Sequence, residues 1–197
     1  MKLSIRAICL IGLFAAVISV LSILTVPTPW GVPFTLQTFA VALAAYVLGA
    51  KCGTLATALY VLLGFCGLPV YAGMKAGPAV LFGPTGGYLY GFLFMALLCG
   101  MGMPTEGTLK GKRMRLVFLS LLGLIVCHTF GIIQFRFVMN HMSGENVYTL
   151  FSAAMVASVP YLLKDILSVA GAWLVALAVR RALKSTSILD LQVRASS

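Results

Sequence analysis

Asp165 lies about fifteen residues inside the last apolar stretch of the chain, with Lys164 beside it. Ionisable side chains at membrane depth cost several kcal/mol unless they are paired or set in a polar cavity, so this pair is a candidate for handling a ligand. His128 stands fifteen residues from Arg113 and Asp165 fifteen from Arg180, and both arginines close apolar runs on the same basic edge. At about 1.5 Å per residue both groups rise roughly 22 Å from that edge, into the far half of a hydrocarbon layer about 30 Å thick. Gln134 and Arg136 lie higher still. Polar groups from two antiparallel helices thus share one layer, which suits a pocket open to one side and not a pore with charges at every level.

Two loops lie on the side of that layer. One carries Thr35, Gln37 and Thr38, in the first turns of a helix that begins just after Pro33. The other reads Gly83-Pro84-Thr85-Gly86-Gly87-Tyr88. Gly86 and Gly87 let backbone N–H groups approach a ligand closely, and a helix start offers unpaired donors to an anionic group such as a carboxylate.

Other chemistries find less support. Cys127 and His128 are neighbours, which points their side chains about 100° apart on a helix, and His128 has no ligating partner at i+3 or i+4. No metal or cofactor site is expected. Gly107 to Arg113 has the wrong spacing for a phosphate-binding loop, so uphill transport would draw on an ion gradient or on partner subunits. An intramembrane enzyme using His128 with Asp165 is the alternative reading.

The elements that must position these groups are membrane helices. The chain is 61% hydrophobic and holds four acids against fourteen Lys and Arg, far too little polar surface for a soluble globule. Its net charge of +10 does not imply a nucleic-acid partner, because the basic residues flank apolar runs and form no polar face. The five cysteines show no CxxC spacing and read as buried apolar side chains. Six apolar runs predict one all-α integral membrane bundle of six transmembrane helices, about 5–26, 34–50, 53–73, 86–103, 113–138 and 151–182, in a single domain over 1–197. Turn-formers separate them: Pro27, Pro29, Gly31 and Pro33; Pro69, Gly77, Pro78, Gly83 and Pro84; and Ser143-Gly144. The first run lacks a small-x-small cleavage site, so it is expected to be a retained helix.

Charge orients the bundle. Lys2, Arg6, Lys51, Lys110, Lys112, Arg113, Arg115, Arg180, Arg181, Lys184 and Arg194 fall on one side, and Lys75 and Arg136 on the other. The positive-inside rule then places both termini in the cytoplasm of a cell membrane and the Pro/Gly-rich loops outside. The tail beyond Lys184 is short and polar. On the first helix Gly12, Ala15, Ala16 and Ser19 form a small-residue face that can pack closely within the bundle or against a partner.

Three strings are unusual enough to resemble a known family: Pro33-Phe34-Thr35-Leu36-Gln37-Thr38-Phe39-Ala40-Val41, Gly67-Leu68-Pro69-Val70-Tyr71-Ala72-Gly73, and Gly83-Pro84-Thr85-Gly86-Gly87-Tyr88. They resemble the BioY family, the biotin-binding S components of energy-coupling factor (ECF) vitamin transporters. The resemblance implies a six-helix S component that takes biotin from outside, with a transmembrane coupling subunit and cytoplasmic ATPase subunits as partners. The same fold serving another small vitamin is the alternative within transport. The family's last helix carries a proline, an aspartate five positions on and a lysine three beyond it. Pro160 and Asp165 match, but Ser168 stands at the lysine position and Lys164 precedes the aspartate. Positions 164 and 168 lie one turn apart on the same face, so Lys164 is expected to replace the missing lysine. The docking pattern of two alanines four apart is met only in part, since Ala15 is followed by Ser19 and Ala16 by Val20. Given biotin, Asp165 can accept from the ureido N–H groups and Gln37 or Gln134 can satisfy the ureido carbonyl. Tyr88 and Phe34 can cover the thioether ring, while Lys164, Arg136 or the Gly86-Gly87 amides can hold the carboxylate. His128 shares the Asp165 layer.

Overall fold

The computed structural model describes residues 3–27, 34–103, 109–144 and 149–185. Lys2, Pro29, Gly31, Pro33 and Arg194, and the side chains of Lys110, Lys112 and Lys184, lie outside the described residues. Helix α1 spans Ile5–Ile23 and is capped by Ser4, whose Oγ accepts from the Ala7 N–H at 3.2 Å. A short antiparallel pair follows, β1 (Thr25–Val26) with β2 (Phe34–Thr35). Then come α2 (Gln37–Phe65), a 3₁₀ turn at Ala72–Met74, α3 (Pro78–Leu81), α4 (Gly86–Gly102), α5 (Leu109–Ser143), α6 (Leu150–Ala157) and α7 (Val159–Ser185).

Among the described residues, four helices are long and apolar enough to cross a membrane: α1, α2, α5 and α7; α4 is apolar but shorter. Yet α2 is not one rod. Gly49 sits at φ 79, a left-handed conformation open to glycine at little cost, and the chain doubles back there. Two contacts require the reversal. A Cβ on Gly53 would stand 2.6 Å from the Cα of Ala45, and Gln37 Nε2 donates to Tyr60 Oη at 2.7 Å across twenty-three residues. In a straight helix the second pair would be about 35 Å apart. Residues 37–48 and 50–65 are therefore antiparallel arms, and the break expected between the runs 34–50 and 53–73 occurs at Gly49. The second arm also ends at Phe65, earlier than the sequence pattern suggests, because Gly67 (φ 100) and Pro69 follow.

The last apolar run is likewise divided. Ser158 leaves helical geometry between α6 and α7 (φ −128, ψ −46), and Pro160 falls in the first turn of α7, where its missing N–H costs nothing. The hairpin α2 occupies the centre and packs on α1, α4 and α7, while α4 lies between α2 and α5. Gly91 and Gly100 allow that sandwich: a Cβ there would lie 2.6 Å from the Cα of Cys127 and 2.5 Å from the Cα of Ala50. The main core runs through Ile18, Val41, Tyr46, Ala56, Tyr60, Met95 and Cys99, and a smaller cluster of Phe135, Ala153 and Tyr161 forms above it.

The Gly67–Gly73 string now has a packing explanation. Tyr71 is buried, donates to Val61 O at 2.6 Å, and meets the Tyr60 ring edge-on at 5.7 Å. Its ring lies flat on Gly64, where a Cβ would sit inside the ring's van der Waals envelope. Gly64→Ala is therefore expected to destabilise the protein by about 1–3 kcal/mol, the usual cost of overpacking. Thermal unfolding of the purified protein measures this, and an unshifted midpoint would show that Tyr71 moves freely.

Candidate functional site

A chain of polar contacts links the second arm of α2 to α5 and α7. Tyr60 accepts from Gln37; Thr35 Oγ1 donates to Gln37 Oε1 at 3.1 Å; and Lys164 Nζ donates to the Thr35 backbone carbonyl at 3.0 Å. Lys164 Nζ stands 2.5 Å from Asp165 Oδ1, and His128 Nε2 lies 3.3 Å from Asp165 Oδ2. Thr38, buried on α2, faces the same carboxylate. The ring of Tyr88 meets His128 edge-on at 5.8 Å, while Tyr88 Oη shares a 3.0 Å hydrogen bond with Ser158 Oγ. Phe34 and Tyr161 pack with ring centroids 4.7 Å apart in the upper cluster.

Local structure explains each placement. Thr35 closes the two-stranded pair and Gln37 opens α2, so both side chains and the Thr35 carbonyl arrive at one helix end. The break at Ser158 and Pro160 starts α7 so that Asp165 points inward; it is 6% exposed, as befits a carboxylate facing protein and not hydrocarbon. His128 is buried opposite it on α5. Depth counted from the basic edge thus brings the two groups into contact, as expected.

Two atoms here lack hydrogen bonds. Asp165 Oδ1 has the Lys164 ammonium beside it, but the angles fall short of a hydrogen bond, so its charge is met and its acceptor capacity is not. His128 Nδ1 is buried with no partner. A carboxylate can only accept, so His128 carries a proton on Nε2 toward Asp165, and Nδ1 is left for another group. Buried polar atoms without partners are uncommon, and two in one cluster point to an external partner.

Other expected site residues take different positions. Gln134 Nε2 donates to the carbonyls of Leu81 (2.6 Å) and Gly83 (2.8 Å), which ties α5 to the loop before α4 and uses both amide hydrogens. Gly86 gives its N–H to Gly83 O at 3.1 Å, and a Cβ on it would strike Gln134 Nε2 at 2.5 Å. Gly87 presses on the backbone of Phe130. The close approach that these glycines permit is therefore to the Leu81 carbonyl and to α5. On α1 the small residues divide: Ala15 and Ser19 are buried, with Ser19 Oγ donating to Ala15 O at 2.8 Å, while Gly12 and Ala16 face outward. That outward placement narrows the face open to a partner to Gly12 and Ala16. Tyr60 and Ser158 were not singled out from the sequence; Tyr60 joins the network only through the hairpin at Gly49, which has no signature beyond one glycine.

Comparison with known proteins gives a consistent result. Residues 1–185 match the BioY family. The biotin transporter BioY of Thermotoga maritima is 40% identical over 173 residues, covering 86% of this chain and 93% of that one. The biotin transporter BioY of Rhodobacter capsulatus is 35% identical over 173 residues, covering 87% and 91%. Among solved structures, the S-component for biotin from an ECF-type ABC transporter superposes with a TM-score of 0.71 at 26% identity, over 91% of this chain and 92% of that one.

Proposed function

The chain belongs to the BioY family, and from that premise we propose that it captures biotin at the Asp165 cluster as the membrane S component of an energy-coupling factor transporter. The observation that carries the site is buried His128 Nδ1, which has no hydrogen bond, beside Asp165 Oδ1, which meets only the Lys164 ammonium. Biotin's ureido ring has two N–H donors and one carbonyl. Asp165 and His128 accept from the N–H groups. Lys164, and the second amide hydrogen of Gln37, are the donors at hand for the carbonyl. Tyr88, with the Phe34–Tyr161 pair, covers the apolar thioether ring. A site that pairs every polar group of its ligand rejects analogues lacking one, because its own groups are then left unsatisfied.

We further read the protein as six crossings with both termini in the cytoplasm. Support comes from eleven basic residues against two, from the hairpin of α2, and from Arg180 Nη1, which donates to Tyr46 O at 3.2 Å beside the Gly49 turn. The basic end of α7 and the Lys51 end of α2 then share one face, and the Asp165 cluster lies toward the other. A transmembrane coupling subunit and cytoplasmic ATPases supply the energy, with the outward Gly12–Ala16 face of α1 available for close helix contact. As a member of a transporter family the protein is not an enzyme, so biotin leaves unchanged. Labelled biotin applied to the purified protein is expected to be retained one per chain and recovered intact. A chemically altered product, or no retention, would overturn the proposal.

A further inference from the structure

Beneath the His128–Asp165 pair, α5 and α7 part and leave a cavity of about 330 Å³. Its walls are apolar, formed by Leu116, Leu124, Val169 and Trp173 among others. Tyr46 and Ser120 also line it, with their hydroxyls hydrogen-bonded to each other at 2.6 Å. Apolar cavities of this kind stay dry. The cavity opens sideways, since its lining residues Val117, Leu121 and Ile166 are exposed on the face that meets hydrocarbon.

One end of this groove is basic. Arg113 belongs to its lining and is exposed, and Arg180 donates to the backbone of Tyr46, another lining residue. Asp165 is the sole carboxylate side chain among the described residues, and it lies at the His128 level, about 22 Å along α5 from Arg113. No described carboxylate reaches Arg113. We propose that the groove binds an anionic phospholipid, with one acyl chain in the cavity and the phosphate on the Arg113 guanidinium. Hydrocarbon tails are as apolar as leucine, so moving a chain from bilayer to groove contributes little preference. The headgroup decides: guanidinium pairs with phosphate through charge-assisted, planar hydrogen bonds, and basic pockets between membrane helices select anionic lipids. The inference rests on the membrane reading above and is independent of biotin as the ligand.

Trp173 provides the readout. Trp30→Phe leaves it the only tryptophan, and the full chain is reconstituted in phosphatidylcholine vesicles containing brominated lipid, which quenches indole on contact. Brominated phosphatidylglycerol is expected to reach half-quenching at roughly fivefold lower mole fraction than brominated phosphatidylcholine, the preference given by one guanidinium near an anionic headgroup. Arg113→Gln should equalise the two lipids, while Arg113→Lys should retain part of the preference. Thermal unfolding of the same samples reports folding, and biotin retention measured separately keeps failure here distinct from failure of the functional proposal. Equal quenching by both lipids with Arg113 intact would show that bulk lipid alone bathes the groove. Quenching by neither would show a closed cavity or a protein occupant. Either result overturns the proposal.

Discussion

Asp165→Asn is expected to weaken biotin binding at least tenfold, about 1.4 kcal/mol. The substitution keeps the shape of the side chain, so the loss reports charge and acceptor capacity and not packing. In the native protein the carboxylate takes His128 on Oδ2 and the Lys164 ammonium beside Oδ1, leaving acceptor capacity for one further donor. A neutral amide donates where the carboxylate accepts, and it removes the counter-charge of Lys164. Hydrogen bonds to a charged partner are about twice as strong as neutral ones, so tenfold is a lower bound. Equilibrium binding of labelled biotin to the two proteins, each checked for an unaltered thermal transition, gives the ratio. Unchanged affinity would remove Asp165 from the site.

The second large effect separates two positions on one helix face. Lys164→Ala should weaken biotin binding by tenfold or more, whereas Ser168→Ala should leave it nearly unchanged. Lys164 joins three parts of the site: its ammonium neutralises Asp165, fixes the Thr35 carbonyl and thereby holds β2 against α7. Removing one partner of a buried ion pair costs several kcal/mol, because the other charge remains in low dielectric. Lys164 is partly exposed, so solvent screens some of this, and a stability loss of about 1–3 kcal/mol is expected alongside the loss of affinity. The same binding assay and thermal unfolding read both. The reverse pattern, with Ser168 sensitive and Lys164 silent, would show that the lysine one turn away does not stand in for the one the family carries after its aspartate.

Much of this geometry was legible from residue types and counting. The shared level of His128 and Asp165 follows from the arginines that end their helices, because rise per residue converts sequence distance to depth. The reach of Lys164 toward Asp165 follows from adjacency and from the length of its side chain. Elsewhere local reading fell short. The run from Phe34 to Gly73 reads as two spans, yet nothing in it announces that a single residue, Gly49, reverses the chain, since that depends on Ala44, Ala45 and Gly53 being small enough for the arms to touch. Gly86 and Gly87 read equally well as a ligand cradle or as a helix contact, and only the position of α5 reveals what their missing Cβ atoms would strike. The small residues of α1 share a composition but not a face: a period of 3.6 turns Gly12 and Ala16 outward while Ala15 and Ser19 turn to the core. The separation of α6 from α7 is signalled by Pro160, although hydropathy runs straight through it.

The central claim, that Asp165 accepts a ureido N–H of biotin, is tested most directly by a double-mutant cycle across protein and ligand. Affinities are measured for the native protein and Asp165→Asn, each with biotin and with an analogue methylated on one ureido nitrogen. If carboxylate and N–H are partners, methylation at the interacting nitrogen costs the native protein far more than it costs the variant, and the two losses do not add. Losses that add for the analogues of both nitrogens would mean that Asp165 and the ureido group never meet.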